Sequence, residues 1–473
     1  MISSSKYVSF EYNLYYCTMT INLSTLMFTN GSDIVPASGT AEIINTCIAN
    51  TLDGNDQITG TDTGDGYGIN NYANATLKMG NGDDIITGTG FYSGIDNGGT
   101  IKMGNGNDII TGSGNSQARD GFYSGIDNSG TIKMGDGKDA LTGTPTYSYY
   151  GYNGIDNSGT IEMGNGDDII SGTGTFFGPI GGVANTGTIT LGNGNDTITG
   201  FGIEGIYNSG TIKMGNGNDT ITGTGRQSSF INDGTINLGN GNDTITGADV
   251  GGFPGGRGIY NNSTGIINLG NGNDTIAGVG TYFVWNGFNN DGTIRMGNGN
   301  DTITGVDGFY NGGTIRMGNG NNTIAGFQGI VNSGTIDIGN GNNTITGSGS
   351  EGFRGYTGIS NSGTIDIGNG KNVVDALTGG FGGNGTINLG NGDDLVKGFG
   401  TGYFIGGKGK DTLLFGAGTY KVSETTDSNG FYTINNGSTS MLVKNFELIG
   451  DANNTNNTFS FSSVIGGSSF TFT

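Results

Sequence analysis

One block of sixteen residues recurs along most of this chain. Residues 128–143 read N-S-G-T-I-K-M-G-D-G-K-D-A-L-T-G, residues 208–223 read N-S-G-T-I-K-M-G-N-G-N-D-T-I-T-G, and residues 332–347 read N-S-G-T-I-D-I-G-N-G-N-N-T-I-T-G. The last acidic position of each copy indexes the series: Asp56, Asp84, Asp108, Asp139, Asp168, Asp196, Asp219, Asp243, Asp274, Asp301, Asn322, Asn343, Asn372, Asp394 and Asp411. The block keeps its length while the segment after its final glycine varies. A constant unit with one insertion point describes stacked coils with loops along one edge.

Each block parses into short strands. In residues 131–134, T-I-K-M, apolar and polar side chains alternate, so Ile132 and Met134 share a face. In residues 139–142, D-A-L-T, Leu141 is the apolar residue and Asp139 lies on its side. A third segment, G-I-D-N at 125–128, precedes the block. Neither helical period nor helical length is available between the glycines. The expectation is an all-β fold: a parallel β-solenoid, right-handed, of about fifteen coils with both ends capped. Residues 1–50 read as an N-terminal cap, 51–415 as the solenoid and 416–473 as a C-terminal cap. Its core would be rungs of like residues, Ile101 over Ile132 over Ile161 and Met103 over Met134 over Met163. The chain has 102 glycines and 4 prolines with no G-X-Y register, which excludes collagen. The glycines are expected at sharp turns, where positive φ favours Gly or Asn.

Two polar columns follow from stacking. The turn asparagines Asn97, Asn128, Asn157, Asn185, Asn208, Asn232, Asn290, Asn311, Asn332 and Asn361 can hydrogen-bond up and down a ladder. The aspartates form the second column. Carboxylates stacked about 4.8 Å apart repel by about 0.9 kcal/mol per pair even in water, and more in a drier turn. Only 18 basic residues face 40 acidic ones, for a net charge of −22. A hard divalent cation would neutralise the column, and glycine carbonyls would complete an oxygen shell that suits calcium better than magnesium. The chain has no histidine, which excludes His-dependent catalysis and His-ligated zinc, iron or copper. The acidic balance argues against nucleic acid. Cys17 and Cys47 are equally consistent with one disulfide and with two reduced thiols. No apolar run reaches the length of a membrane span, and residues 1–30 lack the pattern of a cleaved signal peptide.

The turn sequence G-x-G-x-D-x-U-x resembles the nonapeptide of RTX, or haemolysin-type, calcium-binding repeats. Residues 406–414, G-G-K-G-K-D-T-L-L, match its full form. The resemblance implies calcium held by Asp84, Asp108, Asp139, Asp168, Asp196, Asp219, Asp243, Asp274, Asp301, Asp394 and Asp411, with Gly406, Gly407 and Gly409 in the last turn. It also implies a bacterial protein, extracellular or on the cell surface, that folds on meeting calcium. Interior copies depart from the pattern: Met79, Leu191 or Ile338 stands where the first glycine would be, and each coil carries one nonapeptide. A single calcium column on one edge is therefore expected, in a hybrid of an RTX roll and a larger β-helix. At Asn322, Asn343 and Asn372 amide stacking should replace calcium.

The reading of function is structural or adhesive rather than enzymatic, with calcium ions and an extracellular polysaccharide or another cell surface as partners. Outward Thr pairs, such as Thr197 and Thr199 or Thr220 and Thr222, resemble the ice-binding face of some β-solenoid antifreeze proteins. Coils with Ile-Ile at Asp84, Asp108 and Asp168 break that array, as do Ala277 and Ala325. A polysaccharide lyase or epimerase is the other alternative, but acids outside the turn column read as scattered. The outward Lys78, Lys102, Lys133 and Lys213 read as a solvated face. Aromatics concentrate in the variable loops at Tyr147, Tyr149, Tyr150, Tyr152, Phe176, Phe177, Tyr282, Phe283 and Trp285. They read as loop packing or as a contact surface for glycans. The uncharged, Phe-rich tail after residue 456 resembles the C-terminal signal of type I secretion.

Overall fold

A computed structural model describes the chain except residues 1–18, 37–39, 115–122, 146–152, 176–180, 252–255, 282–286, 350–356, 456 and 468. Cys17 and the loop aromatics named above lie outside the described residues; Cys47 is exposed.

The chain winds as a parallel β-solenoid. One coil runs through Ile126–Asn128, Thr131–Asp136 and Ala140–Pro145. Each strand pairs in parallel with its equivalents above and below, in the register that the repeat dictates. Ile126 meets Ile95 and Ile155, Ile132 meets Ile101 and Ile161, and Leu141 meets Ile110 and Ile170. The T-I-x-x strands build one sheet; the other two strands of each coil belong to a second. In two coils the latter two merge into one strand, Thr197–Asn208 and Thr220–Asn232.

The core consists of the expected rungs. Ile101, Ile132 and Ile161, and Met103, Met134 and Met163, are fully buried, as are the Ile126 and Leu141 columns. Each such side chain contributes about 1.5–3 kcal/mol of burial, but only against a neighbouring coil. Phe230, Phe288 and Phe309 replace Ile in one column, and Phe288 stacks on Phe309 with centroids 4.7 Å apart.

Glycine has two roles here, and the turn accounts for only one. Gly192 and Gly194 sit at φ +116° and +150°, and a Cβ on Gly192 would lie 1.7 Å from the Gly164 carbonyl oxygen of the coil beneath. Within the block glycine alone takes the left-handed positions and the asparagine side chains serve ladders instead; elsewhere Asn74 and Asn445 take positive φ, +69° and +57°, as expected of Asn. Gly112, at the end of the Thr strand, has ordinary φ. Its missing Cβ would meet the carbonyl oxygen of Gly125 in the same coil at 2.2 Å. Two strands of one coil touch backbone to backbone there, and only glycine permits that approach.

Both ends continue the stack. Met19–Asn22 pairs in parallel with Ala41–Asn45, and Ile34–Val35 with Gln57–Thr61, so residues expected as a cap already follow the solenoid register. Beyond residue 415, Ser440–Lys444 and Leu448–Asp451 supply one more parallel rung. Antiparallel strands then cover it: Gly418–Val422 pairs with Ser469–Phe472, and Leu448–Asp451 with Thr458–Ser460. Phe415, Tyr420, Phe461 and Phe472 are buried beneath this cover.

Candidate metal centre

The first polar column is a hydrogen-bonded ladder. Asn97 Nδ2 donates to Asn128 Oδ1 at 2.7 Å, Asn128 to Asn157 at 2.7 Å, and the chain of amides continues to Asn332 and Asn361 at 2.8 Å. Asn45, Asn71 and Asn261 belong to it as well. Asn71 and Asn261 close I-N-N and I-Y-N segments, variants of the I-D-N signature. All these side chains are buried, and from Asn97 onward they also donate to main-chain carbonyls, which makes the column structural.

The aspartates point inward too. Asp84, Asp108, Asp139, Asp168, Asp196, Asp219, Asp243, Asp274, Asp301, Asp394 and Asp411 are all buried. In each, Oδ1 accepts the backbone N–H of the equivalent residue one coil earlier. Asp84 N–H donates to Asp108, Asp196 N–H to Asp219 and Asp394 N–H to Asp411, each at 2.9 Å. The column extends past the repeat at both ends: Asp33 N–H donates to Asp56 Oδ1, and Asp411 N–H to Glu447 Oε2, both at 2.8 Å. Asp33 and Glu447 lie outside the repeated block, and no sequence signal marks them.

The second oxygen is the anomaly. Oδ2 of Asp56 and of every aspartate in that column is buried without a hydrogen-bond partner. An unpartnered buried carboxylate oxygen costs several kcal/mol unless a proton or cation meets it. Burial accordingly pushes Asp108, Asp196, Asp243 and Asp394 up to about 7. It pushes Asp84, Asp139, Asp168, Asp219, Asp274, Asp301 and Asp411 up to about 6. The donated N–H opposes the rise in each, and in several a neighbouring carboxylate adds to it.

The asparagine coils reveal what the missing partner does. Asn322 Nδ2 donates to the carbonyls of Gly318 at 2.9 Å and Gly320 at 3.3 Å. Asn343 Nδ2 donates likewise to Gly339 at 3.0 Å and Gly341 at 3.1 Å, and also to Asn372 Oδ1 at 3.1 Å. The second turn glycine has the same φ in both kinds of coil, +145° at Gly320 and +144° at Gly217. With the same turn glycine geometry, the carbonyl that takes an amide proton in an asparagine coil would face an acceptor oxygen in an aspartate coil. Acceptor facing acceptor is the donor set of a hard cation. Among the described residues no three acidic, His or Cys side chains converge on a point, so the ligands would be one carboxylate per turn with main-chain oxygens. Gly407 and Gly409 take φ +109° and +144° in the last turn, and a Cβ on Gly406 would lie 2.6 Å from Asp411 Oδ2.

Two further columns escaped the reading of the sequence. On the exposed side of the turn, Asn193 Nδ2 donates to Asn165 Oδ1 at 2.7 Å, and Asn218 N–H to Asn195 Oδ1 at 2.8 Å; both patterns repeat from coil to coil. Their signal was the two Asn of G-N-G-N itself. Acids outside the turn are also less scattered than expected. Asp96, Asp127 and Asp156 stack in register, with burial pushing Asp127 up to about 6.

No family model matches the chain, and no curated protein matches its sequence. Among solved structures it is similar to a hyperactive, Ca2+-dependent, beta-helical antifreeze protein from an Antarctic bacterium. The likeness has 19% identity and a TM-score of 0.32, over 82% of this chain and 84% of that one.

Proposed function

We propose that the protein is a non-catalytic, calcium-stabilised β-solenoid of RTX-like character, working outside a bacterial cell as a structural or adhesive element. The observation that carries this reading is the row of buried, unpartnered Oδ2 atoms along the aspartate column. When bound, calcium supplies positive charge to that row. The aspartate Oδ2 and the second turn glycine's carbonyl would hold it, as Asp196 and Gly194 would in one coil. The first turn glycine would join them where its carbonyl turns inward. The residues contribute everything else: the main-chain N–H of the preceding coil fixes Oδ1, and the Asn ladder holds the opposite corner rigid. Calcium is abundant outside cells, so a chain built this way would stay loosely folded during export and tighten afterwards. Circular dichroism of the full chain, with chelator and with millimolar calcium, tests the reading. A gain of β signal and of melting temperature on calcium addition is expected; a spectrum and a melt indifferent to calcium would defeat it.

Secretion through the C-terminal tail is part of the proposal. Because Phe472 is buried in the end cover, truncating the tail would also expose the core. Substitutions of the exposed Ser460 and Ser462 that spare folding are the cleaner export test.

A second reading is ice binding, favoured by one feature. Thr197, Thr220, Thr244, Thr275, Thr302, Thr323 and Thr344 form an unbroken column in parallel register. The neighbouring column is broken at Ala277 and Ala325. Thermal hysteresis of the calcium-loaded protein decides it; none at millimolar protein removes this reading.

A further inference from the structure

The outward row of the T-I-x-x sheet concentrates the chain's scarce positive charge. Lys78, Lys102 and Lys133 occupy one row in parallel register, and the same row later carries Lys213, Arg295 and Arg316. One third of the 18 basic residues thus stand on a single line of a chain whose net charge is −22. In a parallel sheet such neighbours are about 4.8 Å apart, and like charges directly opposed are destabilising. Only the end of the first run is compensated, by the ion pair of Lys133 with Glu162. Among the described residues, Lys78 and Lys102 have no acidic partner, and both are exposed. Thr76, Thr100 and Thr131 run alongside on the same face, two residues away, and offer a parallel line of hydroxyls.

We infer that the row Lys78–Lys102–Lys133 docks a linear, carboxylate-bearing polysaccharide laid along the solenoid axis. Charge complementarity selects an anion. The row runs from coil to coil along a sheet face, so an extended polymer gains from successive coils where a single small anion would not. Nucleic acid fits poorly, because three cations beside a strongly acidic body cannot match the phosphate density of that polymer. Ammonium groups would meet the carboxylates, and the threonine hydroxyls would meet the sugar hydroxyls. The inference deepens the adhesive reading by naming the class of partner, and it rests on that reading.

The test uses the full, calcium-loaded chain at low salt, with short oligogalacturonates, the same oligomers methyl-esterified, and single-stranded DNA as probes in a calorimetric titration. Binding of the acid form, little binding of the ester and weaker binding of DNA are expected. Reversing two charges with Lys78→Glu and Lys102→Glu should weaken acid-oligomer binding by about tenfold or more, and added salt should do the same. Lys78→Gln with Lys102→Gln gives a milder loss and covers the case in which the reversed pair disturbs folding. Circular dichroism checks that fold and calcium response persist. Equal binding of acid and ester, tighter binding of DNA, or an unweakened double variant would overturn the inference. A chain that responds to calcium but ignores the acid oligomer loses this docking row and keeps its calcium column.

Discussion

The coils from Asp56 to Asp301 and the block at Asn322, Asn343 and Asn372 solve one turn in two ways. The stacking bond is the same: Asp274 N–H reaches Asp301 Oδ1 at 3.0 Å, and Asp301 N–H reaches Asn322 Oδ1 at 3.0 Å. The core rungs continue unchanged through both, from Ile303 to Ile324 to Ile345. What differs is one atom and the backbone that answers it. In the asparagine coils Nδ2 closes onto turn carbonyls, and the first turn glycine, as at Gly318 or Gly339, leaves the left-handed region. In the aspartate coils Oδ2 has no partner, and the first glycine is held at positive φ, +110° at Gly239 and +101° at Gly270. One stretch of the solenoid is closed by its own donors. The other needs a proton or a cation from outside.

The largest effect should come from stripping calcium. Filling a site at about a hundred times its dissociation constant adds about 2.7 kcal/mol, and the aspartate coils offer a run of such sites. Hydrogen exchange of the full chain, with and without chelator, should show protection collapsing across residues 80–300 and surviving better across 310–375. Uniform loss over both stretches, or none in either, would erase the distinction between them.

Acidity should act next, and in opposite directions with and without calcium. The aspartates titrate at about 6 to 7 in the fold against about 4 in an unfolded chain. A folded value above the unfolded one stabilises the protonated state. That stability is fully present below about pH 4 and is lost as pH rises through 6 to 7. In chelator, the melting temperature should therefore fall between pH 5 and pH 8. With calcium the slope should reverse, because the cation binds the carboxylate form. Parallel pH profiles with and without calcium would mean that the column does not bind it.

Much of this fold could be read beforehand because stacking forces like residues onto like. Ile132 had to meet Ile101 and Ile161, and the repeat made that visible without any structure. The aspartate column was visible for the same reason, since a charge that recurs in register must be neutralised. Other parts were not legible. Gly112 and Gly192 look alike in sequence, yet one allows two strands to touch and the other turns the chain. Gly239 and Gly339 share the context of the block, but only Gly239 lies in the left-handed region, and the residue four positions later is Asp243 in one and Asn343 in the other. Asp33 and Glu447 end the column by position in space alone. Lys78 and Lys102 read as ordinary solvated charge until the register stacked them.

The finest test exchanges the two turns. Asp243→Asn supplies an amide donor where an unpartnered oxygen stood, so it should stabilise the metal-free chain by about 1–3 kcal/mol and remove one calcium from the titration. Asn343→Asp does the reverse: it strips the donor from the Gly339 and Gly341 carbonyls, costs the metal-free chain a similar amount, and adds a site that calcium can fill. The glycine before each should follow its side chain. Gly239 sits at φ +110° with a Cβ position 1.6 Å from the Gly215 carbonyl oxygen, whereas Gly339 lies outside the left-handed region with its nearest atom at 2.6 Å. Gly239→Ala should therefore cost more than Gly339→Ala in the parent chain, and the gap should narrow in the Asp243→Asn background. Denaturant melts of the single and paired variants measure it. An unchanged gap would mean that the turn backbone, rather than the carboxylate, decides which coils need the ion.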